Sequence, residues 1–120
     1  MKTILLVDDN REHLEVLTFL LEDEGFQVKA LTTAVDIYSV IENFKPQLIF
    51  LDVMLDGENG MEICSRLKAD PSIASIKIVL MTASLTFQKL HQIVARADHY
   101  LPKPFDFDEV IRLANQFVED

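Results

Sequence analysis

The sequence predicts an α/β fold in which a five-stranded parallel sheet carries helices on both faces. Two observations predict it: short runs of residues are continuously apolar, and stretches with helical apolar spacing lie between them. Continuous apolarity is typical of strands buried on both sides of a parallel sheet. Alternating strands and helices return the chain to one end of the same sheet. With 120 residues, we expect a single domain covering residues 1–120.

Three of the apolar runs are predicted to be central strands, and they are residues 4–7, 48–51 and 78–81. Residues 27–31 alternate between apolar and polar, and residues 99–101 are short and mixed, so both are predicted to be edge strands. Placing the three apolar runs in the centre gives the strand order 2-1-3-4-5. This is the flavodoxin-like order.

Five stretches have the apolar spacing of amphipathic helices. Their apolar positions are Leu14, Leu17 and Leu21; Ala34, Ile37, Ile41 and Phe44; Ile63, Cys64 and Leu67; Phe87, Leu90 and Val94; and Val110, Leu113, Ala114 and Phe117. Gly25, Pro46 and Pro71 follow the first three as helix stops, and Asp106 precedes the last as a cap. Five strands therefore alternate with five helices.

The composition excludes several classes of function. The chain has 11 basic and 20 acidic residues, and the net charge of −9 lacks the positive patch that nucleic acids require. No apolar run approaches the 18 residues that span a membrane. Cys64 has no partner for an internal disulfide, and the first residues do not resemble a secretory signal. We therefore expect a cytoplasmic protein without direct nucleic-acid binding.

Polar residues follow the predicted strands at their carboxyl ends, where open parallel sheets bind ligands. The first strand leads into Asp8 and Asp9, and the third leads into Asp52. The fourth strand leads into Thr82, and the fifth leads into Lys103. One edge of the sheet is thus predicted to hold three carboxylates, a hydroxyl and an ammonium group.

Such a cluster indicates a cation, because two carboxylates about 4 Å apart repel by about 4 kcal/mol at an effective dielectric constant of 20. Oxygen ligands without histidine or cysteine suit Mg²⁺, with Mn²⁺ as the alternative ion. Lys103 can pair with a phosphoryl oxygen, and Thr82 can donate a hydrogen bond to another. Asp52, alone after a central strand, is the candidate nucleophile for an aspartyl-phosphate.

Four segments of the chain resemble the receiver domains of two-component response regulators, which have the CheY-like form of this fold. They are Leu-Val-Asp-Asp-Asn at 6–10, Leu-Asp at 51–52 with Gly60 downstream, Met-Thr-Ala at 81–83, and Tyr-Leu-Pro-Lys-Pro-Phe at 100–105. The resemblance covers essentially the whole chain. It implies that Asp52 accepts a phosphoryl group from a histidine kinase or histidine phosphotransfer protein and slowly loses it by hydrolysis.

The resemblance also implies roles for the other residues. Asp9, Asp52 and the backbone carbonyl of Met54 would hold the metal, and Asp8 would act through water. Thr82 and Lys103 would bind phosphoryl oxygens. Tyr100 would be the switch aromatic that responds to Thr82, and the Lys103–Pro104 peptide would be cis.

The signal is expected to leave through a surface made of the helix with Phe87, Leu90 and Val94, the strand at 99–101, and the helix after Asp106. A downstream output protein or domain would bind there, and a homodimer could form through the same surface. The chain could be a stand-alone regulator or a part of a larger protein.

Three features depart from the family pattern. Asp56 replaces a common proline, Arg96 replaces a common glycine, and the interval from Thr82 to Lys103 is about one residue short. They leave open an alternative, a degenerate receiver that acts as a phosphorylation-independent protein-interaction module.

A third hypothesis, a flavodoxin-like cofactor binder, is disfavoured because residues 8–11 place acids where a cofactor phosphate needs glycine and backbone donors. Cys64 is predicted to be a core residue. His13, His91 and His99 lack metal-ligand spacing and are predicted to lie on the surface.

Overall fold

The computed structural model describes residues 2–83 and 96–119, and it has the predicted α/β architecture. The main sheet contains β1 (Thr3–Val7), β2 (Gln27–Leu31), β3 (Leu48–Asp52), β6 (Lys77–Thr82) and β7 (His99–Pro102). A separate antiparallel hairpin contains β4 (Met54–Leu55) and β5 (Glu58–Asn59). The helices in the described ranges are α1 (Arg11–Asp23), α2 (Ile37–Phe44), α3 (Gly60–Ala69) and α4 (Phe107–Phe117).

The five-stranded sheet has the order β2-β1-β3-β6-β7, and every neighbouring pair is parallel. Without the two hairpin strands, which the sequence analysis did not predict, this is the predicted order 2-1-3-4-5. Every residue of β1 and β3 is buried, whereas β2 is largely exposed. The predicted division into central and edge strands is therefore confirmed.

Alternate residues of the central strands enter two separate cores, one on each face of the sheet. On one face, Leu5 packs in a core with residues of α2 and α3. On the other face, Leu6 packs in a core with residues of α1 and α4. The prediction of helices on both faces is thus confirmed within residues 2–83 and 96–119.

The ends of the helices follow local sequence signals. The Asn10 side chain caps α1 by accepting a hydrogen bond from His13 N, and Gly25, at φ +94°, follows the helix. Asp106 caps α4, as predicted, by accepting from Asp108 N. The helix predicted around Phe87, Leu90 and Val94, and with it His91, lies outside the described residues.

One predicted boundary is wrong. The apolar stripe of the second helix was predicted to include Ala34, but α2 begins only at Ile37. Ala34 is buried in the preceding turn, where its N–H donates to Glu58 Oε1 at 2.9 Å. Because the Ala34 N–H is hydrogen-bonded to the Glu58 side chain of the hairpin, Ala34 belongs to the turn that precedes α2 and not to the helix.

Two departures from the family pattern lie outside the regular helices and strands. Asp56 is exposed in the turn of the β4–β5 hairpin, beside Gly57 at φ +72°. Arg96 has φ +59°, the left-handed conformation that glycine adopts without cost. None of the described helices is long and apolar enough to cross a membrane.

Candidate functional site

Three acidic residues predicted for the site meet at the carboxyl edge of the sheet. Asp8 and Asp9 follow β1, and Asp52 is the last residue of β3. One carboxylate oxygen from each lies within 4.8 Å of the others. Asp8 is 0% and Asp52 is 3% exposed, whereas Asp9 is exposed. The proximity predicted from the strand ends is therefore present in the structure.

Lys103 carries positive charge into this acidic cluster. Its Nζ donates a hydrogen bond to Asp52 Oδ2 at 2.6 Å and lies 3.6 Å from Asp8 Oδ2. Its backbone N donates to the carbonyl oxygen of Thr82 at 2.9 Å, and its peptide bond to Pro104 is cis. The end of β6 and the turn after β7 thus hold the lysine over the carboxylates.

The Asp52 carboxylate is held at both oxygens. Oδ1 accepts from Met54 N at 3.0 Å, and Oδ2 accepts from Lys103. Burial raises the pKa of Asp52 above its ordinary value, although the hydrogen bonds from Lys103 and Met54 act in the opposite direction. The negative charge of Asp8 raises the pKa further. The ionised form of Asp52 is therefore costly in this site, and a bound cation would relieve that cost.

Asp8 has its own set of partners. Oδ1 accepts from Asn10 N at 2.9 Å, and Oδ2 lies 3.2 Å from His13 Nδ1. The His13 side chain is 40% exposed, and its ring packs edge-on against Phe105 with centroids 5.3 Å apart. His13 was predicted to lie on the surface, and its contact with Asp8 was not predicted. The available signal was the Asn10 cap, which turns the first helical residues back toward the end of β1.

The remaining predicted site residues lie at the same edge of the sheet or next to it. Thr82 ends β6 and is 3% exposed. Met54 begins the hairpin directly after the site, with its side chain 72% exposed. Tyr100, on β7, packs against the core that contains Cys64, and burial raises its pKa to about 12. The roles of the Met54 carbonyl, Thr82 and Tyr100 stay predictions.

Gly60 lets the backbone of α3 approach the end of β3. A Cβ atom at this position would lie 2.1 Å from the carbonyl oxygen of Asp52 and 2.9 Å from Val53 Cα. Gly60 N also donates to the carbonyl oxygen of Val53 at 2.9 Å. Position 60 therefore has no room for a side chain, and the close packing of Gly60 fixes the backbone that carries Asp52.

Cys64 lies in the core, as predicted. It is 0% exposed, and burial raises the pKa of its thiol to about 12. A thiol with so high a pKa is almost entirely protonated at neutral pH, which makes it a poor nucleophile.

The acidic cluster has the donor chemistry of a divalent metal site. All three candidate ligands are carboxylates, and hard cations such as Mg²⁺ prefer oxygen ligands. Lys103 leaves most of the formal negative charge of these groups uncompensated. The residues present therefore fit a metal ion.

Comparisons with known proteins identify the family. The response regulator receiver domain matches residues 4–115. The chain is 34% identical over 109 residues to the DNA-binding response regulator MtrA of Mycolicibacterium paratuberculosis, covering 90% of this chain and 47% of the relative. It is 36% identical over 111 residues to the phosphate regulon transcriptional regulatory protein PhoB of Pseudomonas aeruginosa, covering 92% and 48%. The chain thus spans about half the length of these relatives.

A solved structure has the same fold along nearly the entire chain. The signal receiver domain of a DNA-binding response regulator from Colwellia psychrerythraea 34H superposes with a TM-score of 0.88 at 28% identity. The match covers 97% of both chains. Together with the matched family and the sheet order, these similarities show that the chain belongs to the response regulator receiver domains of two-component signalling.

Proposed function

We propose that this chain is a phosphorylation switch in which Asp52 accepts a phosphoryl group from a histidine kinase or histidine phosphotransfer protein in a Mg²⁺-dependent reaction. The observation that carries the proposal is the meeting of three carboxylates within 4.8 Å, with the Lys103 ammonium 2.6 Å from Asp52. The family supplies the reaction class, and the site supplies a nucleophile with partners for the negative charge.

In the proposed reaction, an oxygen of the Asp52 carboxylate attacks phosphorus and forms a new P–O bond. The P–N bond to the donor histidine breaks, and its electron pair stays on the imidazole nitrogen. Met54 N–H orients Oδ1, and Lys103 lies close enough to pair with negative oxygen at the reacting centre. Both groups keep Asp52 in a single orientation.

Asp9, Asp52 and the Met54 carbonyl are the proposed protein ligands of Mg²⁺, with Asp8 acting through water and Mn²⁺ as the alternative ion. When bound, the ion supplies positive charge that neutralises the carboxylates and the incoming phosphoryl group. The crowding of the three carboxylates, the burial of Asp8 and Asp52, and the raised pKa of Asp52 support this assignment.

Phosphorylation adds about two negative charges at a buried site beside Thr82 and Lys103. We propose that Thr82 and Tyr100 pass this change to an output protein or domain. This partner would bind the predicted output surface, which includes the strand at 99–101 and the helix after Asp106, and any homodimer would use that surface too. Because the segment has a charge of −9, we assign no direct DNA binding to it, although its relative MtrA is named for DNA binding. Its proposed location is the cytoplasm, and its proposed organisation is one domain.

The alternative is a degenerate receiver that works without phosphorylation. It requires a disabled site, but Asp56, one of the three features that suggested it, is exposed in the hairpin turn. The contacts between Lys103 and Asp52 support the phosphorylation switch instead.

Intact-mass spectrometry after incubation with Mg²⁺ and a small-molecule phosphodonor tests the proposal. The native chain should gain one phosphoryl group, and Asp52→Asn should gain none. Asp56→Asn is the matched control, since it changes an exposed aspartate four residues away and should still be phosphorylated. No gain by the native chain, from the small donor or from histidine kinases, would instead support the degenerate module.

A further inference from the structure

A histidine contacts the site that was predicted to contain only oxygen ligands and a lysine. His13 Nδ1 lies 3.2 Å from Asp8 Oδ2, and Asp8 is fully buried. An ionised carboxylate only accepts hydrogen bonds, so the contact is a hydrogen bond in which Nδ1, carrying a hydrogen, donates to Asp8 Oδ2. This hydrogen bond holds the Asp8 carboxylate in one orientation.

His13 acts on the site through Asp8. The ligand atoms that lie within 4.8 Å of one another come from Asp8, Asp9 and Asp52, and His13 is not in this group among the described residues. Its ring also makes an edge-on contact with Phe105. The imidazole thus contacts both the Phe105 ring and the buried carboxylate.

The oxygen of Asp8 that His13 contacts, Oδ2, also lies 3.6 Å from Lys103 Nζ. Lys103 is much closer to Asp52, at 2.6 Å, so the two carboxylates compete for one ammonium group. His13 supplies Asp8 with a hydrogen bond of its own. Without it, Asp8 Oδ2 would keep the ammonium group of Lys103 at 3.6 Å as an ion-pair partner, and the lysine would be drawn away from Asp52.

We propose that His13 is a positioning residue of this site: it holds Asp8 in the orientation that supports metal binding and leaves Lys103 paired with Asp52. The inference rests on the proposed function, because it assigns His13 a part in Mg²⁺ binding. Residues that orient metal ligands by hydrogen bonding typically change metal affinity about 10- to 100-fold when they are replaced.

Two variants separate the hydrogen bond from the packing. His13→Leu keeps an apolar side chain against Phe105 but removes the donor. His13→Asn keeps an N–H donor near the position of Nδ1. His99→Leu is the matched control, because His99 is 38% exposed, lies 3.7 Å from Glu109, and is not part of the site.

Calorimetric titration of each unphosphorylated chain with Mg²⁺ at one fixed pH measures the affinity directly. We expect His13→Leu to bind Mg²⁺ about 10-fold more weakly than the native chain, with His13→Asn recovering most of the loss. His99→Leu should match the native chain. At limiting Mg²⁺, His13→Leu should incorporate less phosphoryl group than the native chain. At saturating Mg²⁺, this deficit should become smaller.

The outcomes distinguish this inference from the function on which it rests. Native affinity in His13→Leu would overturn the role of His13 and leave the phosphorylation switch intact. An equal loss in His13→Asn and His13→Leu would show that a hydrogen-bond donor at this position does not restore Mg²⁺ affinity, and this would also overturn the role of His13. Absence of Mg²⁺ binding by the native chain would overturn the proposed function together with this inference.

Discussion

Replacing Gly60 by alanine tests how the site depends on close backbone packing. The new Cβ would lie 2.1 Å from the Asp52 carbonyl oxygen, about 1.3 Å short of ordinary contact at 3.4 Å. The clashing atoms belong to the backbone, so α3 or the end of β3 must move. Overpacking typically costs about 1–3 kcal/mol. Because backbone atoms cannot move aside as a flexible side chain does, we expect a cost at the upper end, about 3 kcal/mol. The higher helix propensity of alanine recovers at most about 1 kcal/mol.

Urea denaturation followed by far-ultraviolet circular dichroism measures this loss in the free energy of unfolding. Gly57→Ala is the matched control, because Gly57 has open space around it and only its φ of +72° opposes alanine, at about 1 kcal/mol. Phosphorylation of Asp52 should fall in Gly60→Ala alone, since only that change moves the Asp52 backbone. If Gly60→Ala were as stable as Gly57→Ala and equally phosphorylated, the spatial argument would be wrong.

Three further predictions concern single groups. Asp52→Asn should raise the free energy of unfolding at neutral pH, because the raised pKa of Asp52 means that its ionised form is unfavourable in the folded state. In urea denaturation, this gain should shrink as the pH falls toward 3.8, the ordinary pKa of an aspartate. A less stable variant at neutral pH would contradict this. Arg96→Gly should add about 1 kcal/mol by relieving the left-handed conformation, and unchanged stability would count against strain there. Cys64 should react with a thiol reagent far more slowly in the folded than in the unfolded chain; equal rates would argue against its burial.

Much of the fold could be predicted because its signals are local. Residues 48–51 are apolar throughout, and a strand with no polar face must be covered on both sides. Asp8, Asp52 and Lys103 could be predicted to meet because parallel strands end at the same edge of the sheet. The strand ends and the order of the strands are enough to predict this proximity.

Other features depend on contacts that neither the apolar periodicity nor the strand ends encode. The β4–β5 hairpin has two residues in each strand, which is too short for a periodic signal. The late start of α2 depends on Glu58, which lies 24 residues after Ala34 along the chain. The contact between His13 and Asp8 depends on how α1 leaves β1, so the spacing of histidines along the chain could not predict it.

The groups that would make the site reactive are also the ones that burial penalises. Asp8 and Asp52 are acids with almost no exposed surface, and Lys103 is the cation that the structure places beside both. A divalent ion that binds only the folded chain would therefore stabilise it, by about 2.7 kcal/mol at a concentration 100 times the dissociation constant. Asp52→Asn removes one of these charges, so it should be more stable without Mg²⁺ and gain less from Mg²⁺ than the native chain. Equal stabilisation of both chains by Mg²⁺ would mean that the ion binds somewhere other than this acidic cluster.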